Sequence, residues 1–296
     1  MTEDSGFFVR QGDAPAPDTM ELLHRSSAGW SELWRISTDG RIRVLKALKE
    51  QFRGQSMYER LLLKEFRITS SLCHPGIREA YAYRQVPGLG NAIELEWVEG
   101  STLEERMDEC GLPRKEAKLI ALQLCDALSY LHSRQIVHRD IKPSNIIVTH
   151  NGHNVKLIDF GLSDADSWTE FKGAGGTRSH AAPEVLGGAP GDWRSDIWSL
   201  GKVLSRLQPS SKAVIRRCMA VNPANRYASV SEVSKALGRK FPLWAGLLAA
   251  ILIAGTVLLL GQKRIQPQVE TEVIDDPSII DELFRQATDL IEGQGQ

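Results

Sequence analysis

The longest apolar segment of the chain runs from Phe241 to Leu260 and contains no charged side chain. At about 1.5 Å per residue, a helix of this length spans the ~30 Å hydrocarbon core of a bilayer. A buried core helix is the alternative, but core helices usually place polar residues on some turn. The segment therefore predicts one transmembrane helix over residues 241–260.

The remaining hydrophobic pattern predicts a strand-rich first part and a helix-rich second part within one globular block. Alternating polar and apolar residues indicate half-exposed strands, and apolar residues at three- to four-residue spacing indicate amphipathic helices. The clearest segments are strands at 41–46 and 91–98 and helices at 58–72 and 113–132.

Four regions follow from these patterns. The leader has five charged side chains and a Pro-Ala-Pro stretch, so it lacks the pattern of a signal peptide, and we expect it to be disordered. The tail is acidic, and its apolar residues between Ile280 and Leu290 recur at helical spacing, which predicts an amphipathic helix. The predicted boundaries are 1–18 for the leader, 19–238 for the globular domain, 241–260 for the transmembrane helix and 261–296 for the tail.

Charge and cysteine usage exclude two classes of protein. The 36 Lys and Arg residues are balanced by 37 Asp and Glu residues, so the chain lacks the basic excess of nucleic-acid-binding proteins, and we expect no nucleic-acid partner. The four cysteines are scattered without a Cys-x-x-Cys pair. This spacing indicates reduced thiols in a cytosolic domain and neither a disulfide framework nor a zinc site.

Two motifs point to a specific chemistry. Residues 138–145 read HRDIKPSN, and Asp159-Phe160-Gly161 follows 14 residues after Asn145. In this order and spacing, the motifs resemble the catalytic loop and the metal-binding loop of the protein kinase superfamily, and the resemblance covers about residues 20–238. It implies a two-lobed α+β fold. We expect an N-terminal lobe with an antiparallel sheet and one helix, a helical C-terminal lobe, and the transmembrane helix after them.

The resemblance implies a role for each residue of these two loops. Asp140 would orient or accept the proton of the substrate hydroxyl. Lys142, the residue typical of Ser/Thr kinases at its position, would place its ammonium near the transferring phosphoryl group. Asn145 and Asp159 would supply oxygen ligands to Mg²⁺ on the phosphates of ATP.

Further residues resemble the family's nucleotide site. Lys46 falls at the position of the lysine that anchors ATP, with Lys49 as a weaker alternative because strand alternation favours Lys46. The expected ion-pair partner of this lysine is Glu65. Glu96 and Val98 resemble the hinge, whose backbone groups would bond the edge of adenine.

The part of the chain after the metal-binding loop resembles the activation segment, which ends at Ala182-Pro183-Glu184. By resemblance, Glu184 would pair with Arg226, and Asp196 would hold the backbone of the catalytic loop. Thr177 would be the structural threonine beside the catalytic aspartate.

Arg139 directly precedes Asp140, an arrangement that in the family lets a phosphate on the activation segment pair with arginine. The part of the segment expected to be mobile contains Ser167 and Thr169, which are the predicted phosphorylation sites. The alternative is that these are ordinary solvated hydroxyls.

The chain departs from the family in two places. Ser26, Ala28 and Ser31 stand at the glycine positions of the loop that covers the ATP phosphates, with Gly29 at a neighbouring position. Glycine serves there because a Cβ hinders close approach of the backbone, and Ser and Ala are the smallest replacements. The second departure is a deletion between residues 207 and 212, so the C-terminal lobe is predicted to lack one usual helix region. Because of this deletion, the resemblance does not predict how protein substrates dock.

Together these features predict a membrane-anchored Ser/Thr kinase that transfers the γ-phosphoryl group of ATP to proteins and to itself. A pseudokinase or nucleotide-binding signalling scaffold is the alternative, because the glycine-rich loop is altered. The topology resembles bacterial receptor-like kinases, with one pass through the cell membrane. Since ATP is supplied by the cytoplasm, we expect the kinase domain there and the tail on the extracytoplasmic side. Small residues at Gly246, Ala250 and Ala254 predict a homodimer through the span.

Overall fold

A computed structural model describes residues 17–25, 29–109, 111–161, 179–189, 191–209 and 212–238. The predicted span at 241–260, the tail and residues 1–16 of the leader lie outside these ranges, so the predictions for them stay predictions. Within the described ranges, no helix is both long enough and apolar enough to cross a membrane.

The first part of the chain forms an N-terminal lobe, an antiparallel sheet with strand order β1-β2-β3-β5-β4 and one helix against it. The central strand β3 is buried over its last five residues, so the polar–apolar alternation that predicted it is lost there. Leu45 and Ala47 pack on one face of the sheet, and Val44 and Leu48 pack on the other against the helix. The elements are β1 Thr19–Arg25, β2 Ser31–Thr38, β3 Arg41–Leu48, α1 Ser56–Ser70, β4 Ala80–Val86 and β5 Gly90–Glu96.

The second part forms a helical C-terminal lobe with a small antiparallel sheet of order β6-β7-β8. Its core surrounds α3, in which all eight buried residues are fully inaccessible, including Ile120, Leu124 and Leu128. The apolar spacing that predicted this helix therefore marks its inward stripe. The elements are β6 Gly100–Thr102, α2 Leu103–Glu109, α3 Arg114–Ser133, β7 Ile146–Thr149, β8 Val155–Leu157, α4 Pro183–Leu186, α5 Trp193–Leu207, α6 Lys212–Cys218 and α7 Val230–Gly238.

The connection between α5 and α6 consists only of residues 208–211, where the sequence analysis expected a deletion. The two helices pack closely because Gly201 lacks a side chain. A Cβ added there would lie 2.8 Å from both Cys218 Cβ and Met219 Cγ. Gln208 ends α5 in the left-handed conformation, with φ of 48°, and turns the chain toward α6.

The structure confirms the two-lobed fold and shifts the predicted element boundaries by a few residues. The strand predicted to reach Val98 ends at Glu96, because Trp97 and Val98 leave the sheet to form the connection between the lobes. The helix predicted at 58–72 occupies Ser56–Ser70.

Candidate active site

A cavity of about 1030 Å³ opens between the two lobes. Its walls combine residues from the N-terminal sheet with residues that follow α3 and β8. Lys46 and Leu95 project from the sheet, and Asp140, Asn145 and Asp159 lie on the opposite side. The residues of the two sequence motifs therefore face one shared space.

Lys46 is the centre of a charge cluster in this cavity. Its Nζ lies 2.7 Å from Glu65 Oε1 and 2.7 Å from Asp159 Oδ1. The side chains of Lys46 and Glu65 are only 7% and 5% exposed, whereas that of Asp159 is 42% exposed toward the cavity. The ammonium is thus fixed from the N-terminal lobe by α1 and from the C-terminal lobe by the metal-binding loop.

The cluster shifts the pKa values of all three groups. Burial by itself lowers the pKa of Lys46, but the negative charges of Asp159 and Glu65 outweigh this effect and raise it well above its usual range. Burial raises the pKa of Glu65, against the opposing charge of Lys46. Loss of solvent acts to raise the pKa of Asp159, but the charge of Lys46 and the hydrogen bonds from Lys46 and Gly161 together outweigh it and hold this pKa far below its usual range. Lys46 and Asp159 are therefore both charged at neutral pH.

Gly161 packs closely against this cluster. A Cβ at this position would lie 3.3 Å from Asp159 Oδ1 and 3.4 Å from Glu65 Oε2. Without it, the backbone N–H of Gly161 approaches and donates to Asp159 Oδ1 at 3.2 Å. Asp159 itself is held in the left-handed region, with φ of 67°, a conformation that non-glycine residues adopt at some cost.

Asp140 is surrounded by the other residues of the HRDIKPSN motif. Lys142 Nζ lies 2.7 Å from Asp140 Oδ2, and Asn145 Nδ2 donates to the same oxygen at 2.8 Å. Asn145 Nδ2 also donates to the backbone oxygen of Asp140 at 2.9 Å. These bonds fix the aspartate side chain and engage only one of its two oxygens among the described residues.

A buried carboxylate from α5 holds the backbone of this loop. Asp196 is completely buried, and its two oxygens accept the backbone N–H groups of His138 and Arg139, each at 2.8 Å. His132 Nε2 lies 2.9 Å from Asp196 Oδ2. Burial acts to raise the pKa of Asp196, but these hydrogen bonds and the nearby histidines outweigh it and lower the pKa. Arg139 has φ of 64°, so the loop needs such an anchor to keep its strained backbone.

The end of the activation segment is attached to the C-terminal lobe by a two-bond ion pair. Arg226 Nη1 and Nη2 donate to Glu184 Oε1 and Oε2, each at 2.7 Å. The Arg226 side chain is fully buried and also donates to the backbone oxygens of Ala220, Arg194 and Val221. This is the pair that the sequence analysis expected.

The flanks of the loop over the cavity are held by Glu32, which is completely buried. Its carboxylate accepts from Arg25 at 2.9 Å and from Arg53 at 2.9 Å. These bonds join the two strands on either side of the loop to the segment before α1. Among the loop positions, Gly29 and Ser31 line the cavity, whereas Ser26 and Ala28 lie outside the described residues.

The remaining predicted residues differ in whether they line the cavity. Lys46, not Lys49, reaches the cavity, because β3 ends at Leu48 and Lys49 lies beyond it. Val98 lines the cavity. Glu96 does not line it, and its carboxylate pairs with Lys156 at 2.9 Å. The backbone N–H of Glu96 donates to the oxygen of Glu79 at 2.9 Å, and its backbone oxygen accepts from Arg78 at 2.9 Å. Ser167, Thr169 and Thr177 lie outside the described residues.

Several side chains that line the cavity were not predicted from the sequence, among them Trp30 and Arg78. Trp30 places its ring 5.6 Å from Lys46 Nζ. Arg78 lies in the wall opposite, although it is only 7% exposed. No sequence motif marked Arg78, because its position depends on the tertiary bridge between the preceding Ile77 and Leu157.

Comparisons with known proteins agree with this geometry. The family model described as protein kinase domain matches residues 31–213. The chain is 36% identical over 168 residues to serine/threonine-protein kinase PrkC of Bacillus subtilis, which covers 55% of this chain and 26% of that protein. It is 29% identical over 263 residues to a probable serine/threonine-protein kinase PknB of Corynebacterium glutamicum, covering 72% of this chain and 40% of that protein.

A solved structure shares the fold. The kinase domain of Mycobacterium tuberculosis PknI, as a C20A_R136N double mutant, superposes with a TM-score of 0.59 at 24% identity, over 73% of this chain and 92% of that domain. The chain spans well under half the length of the curated relatives named above. Because the family model matches most of the globular part and the cavity brings both motifs together, the chain belongs to the protein kinase family.

Proposed function

We propose that this chain transfers the γ-phosphoryl group of ATP to Ser or Thr hydroxyls of proteins. One observation supports this above all others. The Lys46–Glu65–Asp159 cluster and the Asp140–Lys142–Asn145 cluster are each complete and face the same cavity. The similar PrkC and PknB proteins are named as serine/threonine-protein kinases, which supports the choice of acceptor.

Asn145 and Asp159 fit a divalent cation. Asn145 Nδ2 donates to Asp140, so the Oδ1 atom of Asn145 points away from that residue. Asp159 Oδ1 accepts from Lys46 and Gly161, while Oδ2 accepts from no described residue. An amide oxygen and a carboxylate oxygen suit Mg²⁺, which typically takes its other ligands from water and substrate phosphates. Bound Mg²⁺ would neutralise charge on the phosphates.

Lys46 has the position and charge to bind a nucleotide phosphate. An ammonium has three N–H donors, and Glu65 and Asp159 accept two of them. The raised pKa of Lys46, which the two carboxylates maintain against the effect of burial, keeps the group protonated. The third donor is therefore available to a phosphate oxygen, and the side chain does not move to provide it.

Asp140 has the geometry to orient the substrate hydroxyl. Lys142 and Asn145 both bond to its Oδ2, and no described residue donates to its Oδ1. We assign Oδ1 as the oxygen that accepts the hydroxyl proton when the nucleophile attacks. Lys142, held at 2.7 Å by the same carboxylate, supplies positive charge beside the reacting oxygen.

We further propose that residues 241–260 anchor the chain in the cell membrane, with the kinase domain in the cytoplasm and the tail outside. The apolar segment and the need for ATP support this arrangement. We also propose that the chain phosphorylates itself. The alternative of a scaffold without transfer receives no support from the comparisons, because the relatives are named as kinases.

The decisive experiment is phosphate transfer by the purified full chain, measured with radiolabelled ATP, Mg²⁺ and a generic protein acceptor. Asp140→Asn removes the proton acceptor but preserves size, so we expect transfer to fall by at least about a hundredfold. Asp126→Asn is the matched control, because Asp126 is an exposed carboxylate on α3 outside the cavity, and it should leave transfer unchanged. Phosphate transfer by Asp140→Asn at the wild-type rate would contradict the proposal.

A further inference from the structure

Arg78 is a buried cation in the wall of the nucleotide cavity. It follows Ile77 after α1, and its backbone N–H donates to the oxygen of Leu157 at 3.0 Å, which fixes its Cα. Its side chain is 7% exposed and lines the cavity. There, Arg78 Nε donates to the backbone oxygen of Glu96 at 2.9 Å. This oxygen stands at the end of β5, where the chain enters the hinge.

The guanidinium has more donors than partners. It offers five N–H groups, and the bond to Glu96 uses one. Within the described ranges, Nη1 and Nη2 have no acceptor, and no carboxylate lies at ion-pair distance. The Glu96 carboxylate is already engaged by Lys156 and by the backbone N–H of Glu79. Buried arginines normally have several partners, so a ligand in the cavity is the natural source of the missing acceptors.

Arg78 remains a pure donor at physiological pH. Burial lowers its pKa to about 10, with Glu96, Asp159 and Glu65 acting in the opposite direction. The group is therefore still charged near pH 7 and has no lone pair to accept a hydrogen bond.

The position of Arg78 brings these donors to the edge of a bound base. Arg78 lines the same cavity as the hinge residues Trp97 and Val98, and its Nε is bonded to the Glu96 oxygen where the hinge begins. A purine bound against this hinge therefore lies within reach of the guanidinium. Arginine matches the O6 and N7 acceptors of guanine, whereas glutamine and asparagine match the N6 donor and N7 acceptor of adenine. An adenine amino group at this edge would meet the donors of Arg78 and not an acceptor.

We propose that Arg78 selects the base, so that the cavity binds 6-oxopurine nucleoside triphosphates such as GTP at least as tightly as ATP. This inference rests on the proposed function and extends it by naming a second class of phosphoryl donor. The 6-oxo group and N7 of the base accept from the Nη atoms, and the Glu96 oxygen stays bonded to Nε.

The test is the affinity of the full chain for three nucleotides with Mg²⁺, measured by calorimetry: ATP, GTP and inosine triphosphate. Inosine triphosphate shares O6 and N7 with guanine but lacks its 2-amino group, so it isolates the edge that Arg78 is proposed to contact. Two variants change this edge. Arg78→Met removes all donors, and Arg78→Gln supplies the donor and acceptor that match adenine.

We expect the wild-type chain to bind both 6-oxopurines at least as tightly as ATP. Arg78→Met should shift the ratio of affinities toward ATP by about fivefold or more, and Arg78→Gln should shift it further. Arg84→Gln is the matched control. Arg84 is similarly buried, with a 2.9 Å bond to Glu94, but lies outside the cavity wall, so its loss should leave the ratio unchanged.

Each other result overturns the inference. A wild-type preference for ATP of tenfold or more over both 6-oxopurines would contradict it while leaving the kinase proposal intact. An unchanged ratio in Arg78→Met would show that Arg78 does not choose the base. Binding of none of the three nucleotides would reject the proposed function as well. If either variant fails to unfold cooperatively, the wild-type ratio and the other variant decide.

Discussion

The buried pair of Arg226 and Glu184 gives the clearest quantitative prediction for the stability of the domain. Substituting Glu184→Ala removes both acceptors from a guanidinium whose side chain has no exposed surface. The positive charge then remains in the interior beside Trp198, whose ring centroid lies 5.1 Å from Arg226 Cζ. Breaking one partner of a buried ion pair leaves such a charge uncompensated.

The contacts set the size of the loss. Removing one partner of a buried pair typically costs about 3–5 kcal/mol. Arg226 keeps its bonds to backbone oxygens, and Glu184 is 19% exposed, so water can reach the vacated space. We therefore expect Glu184→Ala to lower the free energy of unfolding by about 3 kcal/mol, the lower end of that range. Glu184→Gln keeps one acceptor and should lose about 1.5–3 kcal/mol, the value of a charge-assisted hydrogen bond.

The assay is urea unfolding of residues 17–238, followed by tryptophan fluorescence, to which Trp198 beside Arg226 contributes directly. Equal slopes against urea would show that the variants change stability and not compactness. The control is Glu104→Gln, which breaks an exposed pair with Arg206 at 3.7 Å and should cost at most about 0.5 kcal/mol. A loss below about 1 kcal/mol for Glu184→Ala would refute the reasoning, since it would mean that the buried charge had found other compensation.

The pH dependence of the same difference is a second readout. Burial acts to raise the pKa of Glu184, but the hydrogen bonds from Arg226 outweigh it, so the pKa lies below the ordinary value of 4.5. A lowered pKa adds stability that is complete above the unfolded value and disappears as the pH falls through the folded one. The advantage of the wild type over Glu184→Gln should therefore be full above about pH 4.5 and decline below it.

Three further predictions concern activity and assembly. Lys46→Met should reduce phosphate transfer by at least about a hundredfold while far-ultraviolet circular dichroism stays native, because the ammonium that binds phosphate is lost; near-normal transfer would contradict its assignment. Mass spectrometry of the active full chain should find phosphate on Ser167 or Thr169 and none in a catalytically inactive variant, and an unmodified segment would reject these sites. Ala250→Ile should lower both crosslinked dimer and autophosphorylation in membranes, because a bulky residue separates helices that pack through small ones; unchanged values of both would reject the dimer.

Short contiguous motifs made much of the site predictable from sequence. Residues such as Asp140 and Asn145 are brought together by a few residues of chain, so their spacing already encodes their contact. The pairing of Glu184 with Arg226 joins distant segments, and it was accessible only through resemblance to the family. The two-lobed fold was predictable because the strand alternation and the helix periodicity agree with the order of the motifs.

Some features of the site depend on tertiary structure and were not predictable from the sequence. Arg78 carries no motif, and its position in the cavity wall depends on a bond between the segment after α1 and the end of β5. Lys46 and Lys49 are three residues apart, and their difference arises from where β3 ends. The polar–apolar alternation that predicted β3 does not extend over its last residues, because both faces of this central strand are covered there. Such burial depends on neighbouring elements and leaves no local periodic signal.

The tight contact at Gly201 has a consequence for protein engineering. Because α5 and α6 are locked together through a glycine, the connection at 208–211 does not have to hold them in place. A connection between fixed ends accepts added chain at a low cost, because the closure cost rises by only about 0.6 kcal/mol for each doubling of loop length. A binding module inserted between α5 and α6 would lengthen the connection at residues 208–211. The kinase could then be directed to a chosen substrate without altering its nucleotide cavity.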